Sequence, residues 1–302
     1  MVALMKALAP EEGYNATPLS HLRLLRSNRP LSTTPVLYEP GIVFVCQGRK
    51  RGFWGGRTYV YDAQHVLSVA VPVPFTMETD ATPEEPLLAI YLTLELPVVA
   101  DLTLQLDRLL GAPAAEPAGM VSSPIDAALS GAVVRLLEAL HSPLECALLA
   151  PAIVREIYFR VLTGGQGPSL RAALSRHGRY ARIGRALRAI HDACESHLSM
   201  ETLAAAAGMS VSSFHAHFKE ITHTSPLQYL KSIRLHKARL MMLRERMTVA
   251  AAAARVGYES PSQFSREFRR LFGRSPGDET RRMRETFAMP EMPWAETWVS
   301  SH

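Results

Sequence analysis

The hydrophobic positions of this chain change period once along its length, and that change divides it. From residue 35 to 97 the apolar residues fall in short runs rich in Val, Tyr, Phe and Thr, interrupted by turn residues. Strands are expected at Val36–Tyr38, Ile42–Gln47, Arg51–Trp54, Thr58–Tyr61, His65–Val71, Phe75–Glu78 and Leu87–Leu96. Glu39-Pro40-Gly41, Gly55-Gly56, Val71-Pro72 and Thr82-Pro83 are among the turns between them. Short strands at this spacing predict an antiparallel sandwich or barrel, and such a barrel can enclose a small ligand. Ahead of them, Met1–Thr34 begins loosely, with one short basic helix expected at His21–Arg26.

Downstream the period becomes helical. Asp101–Gly119 starts amphipathic and ends in a Pro/Ala/Gly linker over Gly111–Gly119. Pro124–His141 and Leu144–Leu162 carry apolar residues at helical spacing, and together they predict a helical hairpin. Tyr180–His197 places Ile183, Leu187, Ile190 and Cys194 on one face. Ser225–Leu243 is an unbroken amphipathic helical pattern of nineteen residues, a rod of roughly 28 Å at the helical rise.

A repeat organises this half. Ser210–Pro226 (SVSSFHAHFKEITHTSP) and Ser260–Pro276 (SPSQFSREFRRLFGRSP) align without a gap at an offset of 50. Ala204–Met209 matches Ala253–Tyr258 at an offset of 49. Each copy reads as an alanine-rich helix, a sharp turn at Gly208 or Gly257, and a serine-capped second helix. In the second copy Pro261 suits the first helical position and Gln263 completes a capping box with Ser260. Phe214, Phe218 and Ile221 form the buried stripe of one copy, and Phe264, Phe268 and Leu271 that of the other. The opposite face is polar and basic. A helix-turn-helix with such a face suits a second helix lying in the DNA major groove. The rod between the copies is slightly shorter than one turn of DNA, about 34 Å, so it can hold two such helices in successive grooves on one side of the duplex.

Charge follows the same division. Residues 171–285 hold 21 Lys plus Arg against 10 Asp plus Glu, a surplus of +11, whereas the rest of the chain carries −6. A basic half beside an acidic half assigns polyanion binding to the first. Cys46, Cys146 and Cys194 are odd in number and form no CxxC pair, which favours free structural thiols in a reducing compartment. The most apolar long stretch, Pro86–Leu106, is interrupted by Glu95, Pro97 and Asp101, so no membrane span is expected. A jelly-roll metal site needs several histidines at strand spacing, and the β part has only His65. Trp54, Tyr59 and Tyr91 are pocket or core aromatics.

SPLQYLKSIRLHKARLMML, followed by VGYESPSQFSREFRRLFGRSP, resembles the AraC/XylS transcription regulators over about Ile183–Arg284. The run LYEPGIVFVCQGRKRGFWGGRTYVYDAQHVLSVAVPVP is similar to the cupin-like N-terminal domain of one branch of that family. The resemblance implies an α+β chain of two domains. Residues 1–119 would be a cupin-like β-barrel or jelly-roll effector domain, and 120–178 the helical hairpin and linker, whose apolar stripe suits either a homodimer interface or a cap on the β domain. Residues 180–284 would be an all-α DNA-binding domain with helix-turn-helix units at 199–222 and 248–272, and 285–302 a loosely ordered tail.

The resemblance also implies base contacts at Ser212, His215 and Ala216 in the first unit, and at Ser262, Ser265 and Arg266 in the second, with Gln263 alongside. Lys219, Arg269, Arg270 and Arg274 would meet phosphates. The family commonly has Arg at the position of Ala216, and glycine at that of His223. The expected function is therefore a sequence-specific regulator of a bacterial cytoplasm, an activator and not an enzyme. It would bind double-stranded DNA and RNA polymerase under an unknown small-molecule effector, without a cofactor. A cupin-type metal-dependent enzyme with an accessory DNA-binding domain is the alternative, and the lack of a His-x-His shell argues against it.

Overall fold

The structure is a computed structural model that describes residues 1–175 and 178–286. By packing it divides into a sheet unit (Met1–Ser32, Glu39–Val71, Met77–Arg176) and a helical unit (Thr33–Tyr38, Pro72–Thr76, His177–His302).

After a short helix α1 (Val2–Leu8), nine strands follow: β1 (Gly13–Ala16), β2 (Leu22–Ser27), β3 (Leu31–Tyr38), β4 (Gly41–Gln47), β5 (Arg49–Trp54), β6 (Arg57–Asp62), β7 (His65–Val69), β8 (Val73–Asp80) and β9 (Leu87–Thr93). They form one curled sheet in the order β1-β2-β9-β4-β7-β6-β5-β8-β3. The expected β domain is therefore present, as a curled half-barrel sheet. β8 shows why the pattern is readable: its side chains alternate between buried and half-buried, the period of a strand with one covered face. β9 lies between β2 and β4 and is buried nearly throughout. Gly48 has φ +83°, and a Cβ there would stand 3.0 Å from the Asp80 carbonyl oxygen.

His21–Arg26 is not a helix. Leu22–Ser27 is strand β2, antiparallel to both β1 and β9 with Leu24 opposite Ile90. The run HLRLLR is too short for periodicity to separate helix from strand, and its distant partner decides. Met1–Thr34 is likewise ordered into α1, β1, β2 and the start of β3.

Beyond α2 (Leu96–Leu110), the Pro/Ala/Gly linker ends in a further strand, β10 (Met120–Pro124), antiparallel to β7. α3 (Ala127–Ala139) starts at Asp126, whose carboxylate accepts from the Leu129 N–H at 2.7 Å, rather than at Pro124. The second arm of the hairpin is two helices, α4 (Pro143–Leu148) and α5 (Ala150–Thr163), and α6 (Gly167–Leu174) follows. Cys46, Cys146 and Cys194 are all buried and free.

The helical unit runs α7 (Gly178–Ala193), α8 (Met200–Ala207), α9 (Val211–Thr222), α10 (Pro226–Arg244), α11 (Val249–Arg255), α12 (Pro261–Phe272) and α13 (Pro276–Thr286). Ser199, Ser210, Ser225, Thr248 and Ser260 each cap a helix by accepting a backbone N–H three residues on. Part of the tail, 287–302, lies outside the described residues. Among the described residues no helix is long and apolar enough to cross a membrane.

Candidate nucleic-acid interface

Both helix-turn-helix units form, and the aligned residues take aligned roles. α8 ends at Gly208 (φ 62°, left-handed), and Ser210 then caps α9. α11 ends at Val256, and Gly257 turns the chain at φ +81° toward Ser260 and α12. Only a residue without a Cβ fits Gly257 easily: a Cβ would lie 3.0 Å from the Glu195 carbonyl oxygen and 3.1 Å from Arg234 Nη2.

Phe214 and Phe218 are fully buried and pack edge-on, and Phe218 does the same with Tyr229 of α10. Around α12 the core comprises Phe264, Phe268 and Phe272 with Leu235, Met242, Ala252 and Val256. Phe272, not Leu271, completes the buried stripe, and Leu271 is only partly covered. The expected capping box is half formed. Ser260 Oγ accepts from the Gln263 N–H at 3.3 Å, but the Gln263 side chain turns along the helix to Glu267.

α10 has the expected nineteen residues but is not amphipathic. Tyr229, Leu230, Ile233, Leu235, His236, Ala238, Arg239, Met241 and Met242 are buried around most of its circumference. It packs against α7, α9, α11, α12 and α13, so more than one face is covered. One of its cations is embedded. Arg239 Nη1 donates to Glu279 of α13 at 3.2 Å, and its guanidinium stacks on Phe272 at 4.1 Å. Burial lowers the Arg239 pKa to about 10, although Glu279 opposes the shift.

With the cores filled this way, the opposite faces of α9 and α12 are exposed. On α9, Ser212, His215, Ala216 and Lys219 are exposed, with Ser212, Ala216 and Lys219 on one helical stripe. On α12 the aligned stripe is Ser262, Arg266 and Arg269, all exposed. Gln263 and Arg270 are exposed beside it, and Ser265 is half-buried. Arg266, Arg269 and Lys219 have no side-chain hydrogen-bond or ion-pair partner among the described residues. Arg270 reaches Gln228 of α10 at 3.4 Å, and Arg274 lies 3.9 Å from Glu279. His217 is half-buried and lies 3.2 Å from Glu220, which Arg179 also bridges.

Much of the basic surplus is structural, which charge counting does not reveal. Arg182 and Arg185 donate to the Ala206 and Ala207 carbonyls at the end of α8. Arg234 donates to the carbonyls of Cys194, Ser196 and Gly257, tying the end of α7 to the second turn. These cations satisfy helix C-termini. The two recognition helices also end differently. Gly273 closes α12 at φ 75°, whereas His223 closes α9 in the same left-handed region at φ 56°.

In the sheet unit, Lys50 is fully buried and donates to Tyr91 Oη at 2.6 Å. Burial drives its pKa well below that of a free lysine. Tyr14 packs edge-on against Tyr91. Trp54 is buried near Tyr59. His65 Nδ1 lies 2.9 Å from Asp62. Lys50 was not singled out from sequence, because a basic residue between Arg49 and Arg51 reads as surface.

Two helix-turn-helix units on one central helix, in a chain that also carries a curled antiparallel sheet, define a two-domain class of transcription regulator. Residues 18–169 match the family described as AraC-type transcriptional regulator N-terminus, and residues 203–282 match a helix-turn-helix domain family. The chain belongs to the AraC-type transcriptional regulators. Among curated relatives, the RCS-specific HTH-type transcriptional activator RclR of Escherichia coli is 40% identical over 87 residues, 29% of this chain and 31% of RclR. The HTH-type transcriptional regulator AlkR of Acinetobacter baylyi is 37% identical over 94 residues, 31% of each chain. The chain thus matches less than a third of these regulators' own length. The crystal structure of unsaturated fatty acid bound ToxT from Vibrio cholerae shares the fold, with TM-score 0.63 at 12% identity, covering 92% of this chain and 98% of that one.

Proposed function

We propose that the chain binds double-stranded DNA sequence-specifically through α9 and α12, and activates transcription in response to a small molecule held by the sheet unit. The observation that carries this reading is the pair of aligned exposed stripes, Ser212/Ala216/Lys219 and Ser262/Arg266/Arg269, on helices joined by one buried nineteen-residue rod. Arg266 is the principal reader, suited to guanine through a bidentate contact. Ser212, His215, Ser262, Gln263 and Ser265 supply the other edge contacts, and Ala216 leaves the first helix without an equivalent cation. Lys219, Arg269, Arg270 and Arg274 neutralise phosphates. RNA polymerase is the partner at the promoter, as RclR's description as an activator suggests. The helices of 120–178 are the candidate homodimer face, and the cytoplasm of a bacterium is the setting. The fatty acid named for the ToxT structure makes a small amphipathic acid a reasonable first effector to screen.

Hydroxyl-radical footprinting on the DNA upstream of the chain's own gene tests the two-groove arrangement. Two protected patches on one face, about one helical turn apart, are expected. A single patch, or protection all round the duplex, would contradict it.

A further inference from the structure

We propose that Glu267 is a positioning residue that sets the base preference of α12 by fixing the amide of Gln263 so that it presents one acceptor and one donor, the pattern that takes adenine. This rests on the reading of α12 as a DNA-reading helix.

Glu267 sits one turn after Gln263, and its carboxylate is surrounded by donors. Oε1 accepts from Lys231 Nζ at 2.7 Å and from Gln263 Nε2 at 3.2 Å, while Oε2 accepts from Tyr258 Oη at 2.7 Å. Lys231 belongs to α10 and Tyr258 to the turn before α12, so the carboxylate is held from two sides. Burial raises its pKa, but the bonds from Lys231, Tyr258 and Gln263 outweigh that and keep it below the usual glutamate range.

An ionised carboxylate only accepts hydrogen bonds. The NH2 end of the Gln263 amide must therefore face Glu267, because a flipped amide would set two acceptors against each other. That leaves the Gln263 carbonyl and its second N–H on the exposed side. This pair matches adenine, which offers N7 as acceptor and N6–H as donor in the major groove. Guanine offers two acceptors there, and a locked carbonyl opposes one of them. A glutamine free to turn over discriminates less.

The first helix-turn-helix has no such device. The position aligned with Glu267 is His217, which lies against Glu220. The position aligned with Gln263 is Ser213, whose hydroxyl accepts from Ser210 at 3.0 Å.

The test is selection of binding sites from a random duplex library by the full chain, followed by anisotropy on duplexes carrying each base at the selected positions. Wild type, Glu267→Gln, Gln263→Ala and the double variant are compared. Wild type is expected to favour adenine over guanine at one position by about tenfold. Glu267→Gln should bring that ratio within about threefold and leave the other positions unchanged. In the Gln263→Ala background it should change nothing further at that position. If Glu267→Gln loses its helical circular dichroism, Glu267→Gln with Lys231→Met removes the stranded cation and carries the same expectation. A uniform loss of affinity with an intact base preference would reduce Glu267 to a structural role and overturn the proposal alone. A wild-type chain that selects no sequence would overturn the DNA-reading assignment and this proposal with it.

Discussion

Glu279→Gln should be among the most damaging single changes in the helical unit, and the reason can be worked from the geometry. Glu279 and Arg239 are almost wholly buried, 2% and 1% exposed, and 3.2 Å apart. Two unit charges at that distance attract by about 5 kcal/mol at an effective dielectric of 20. Arg282 at 3.3 Å is a second cation on the same carboxylate. Arg239 Nη2 also donates to the Pro35 carbonyl of the same unit at 3.2 Å, and Phe272 covers the guanidinium. Neither of these carries the opposing charge. Neutralising Glu279 therefore leaves a buried cation uncompensated, at a cost of about 3–5 kcal/mol. Replacing both partners by apolar residues, Arg239→Met with Glu279→Leu, removes the charge and the desolvation together. That double variant should unfold within about 1 kcal/mol of wild type or above it. The assay is urea unfolding of the full chain, followed by circular dichroism at a helix-sensitive wavelength. A Glu279→Gln midpoint equal to wild type would refute the argument. So would a double variant as unstable as the single one.

Three further outcomes follow from the same packing and electrostatics. His223→Gly removes a left-handed non-glycine strain of roughly 1–2 kcal/mol against about 0.4–1 kcal/mol of added chain entropy. It should stabilise the helical unit by about 0.5–1 kcal/mol in the same urea assay, whereas Gly273→Ala should destabilise it. His191, half-buried with Nε2 2.8 Å from Tyr229 Oη, has its pKa lowered to about 4, by desolvation first and Lys237 second. The unfolded chain binds the extra proton between pH 4 and an ordinary histidine pKa of about 6.5. Stability from this group is therefore complete above that range and is lost as pH falls through it, by about 3 kcal/mol. His191→Gln should flatten that part of the unfolding-versus-pH curve. Arg266→Ala should lower the ratio of specific to non-specific DNA binding about tenfold or more, while Lys219→Ala should weaken all sequences alike and reduce the salt slope by about one; equal losses in the two variants would remove Arg266 as reader.

Helix starts were readable because Ser199, Ser210, Ser225, Thr248 and Ser260 satisfy backbone donors three residues away, a local interaction that needs no tertiary information. Gly208 and Gly257 were readable for the same reason. Strand β2 was not, because HLRLLR becomes a strand only through β1 and β9. β10 was hidden in what reads as linker, since its pairing with β7 is equally distant. Phe272 takes the place of Leu271 because its ring packs against His236 and Arg239 of α10, tertiary contacts that a helical wheel does not contain.

Charge was the least legible property. Arg182, Arg185 and Arg234 count toward a basic surface in the sequence, yet they cap helices. Lys50 and Arg239 are buried, and Glu267 gathers three donors. Arg266, Arg269 and Lys219 remain exposed, so the basic surface facing solvent is smaller than the charge count indicates.

The central claim is that α9 and α12 read DNA, and the most direct measurement is fluorescence anisotropy of the full chain on the duplex upstream of its own gene. It is run over a salt series against a scrambled competitor. The account predicts tight binding that survives the competitor and weakens steeply with salt, as several Lys and Arg contacts to phosphate require. No binding to either duplex at low salt would contradict it.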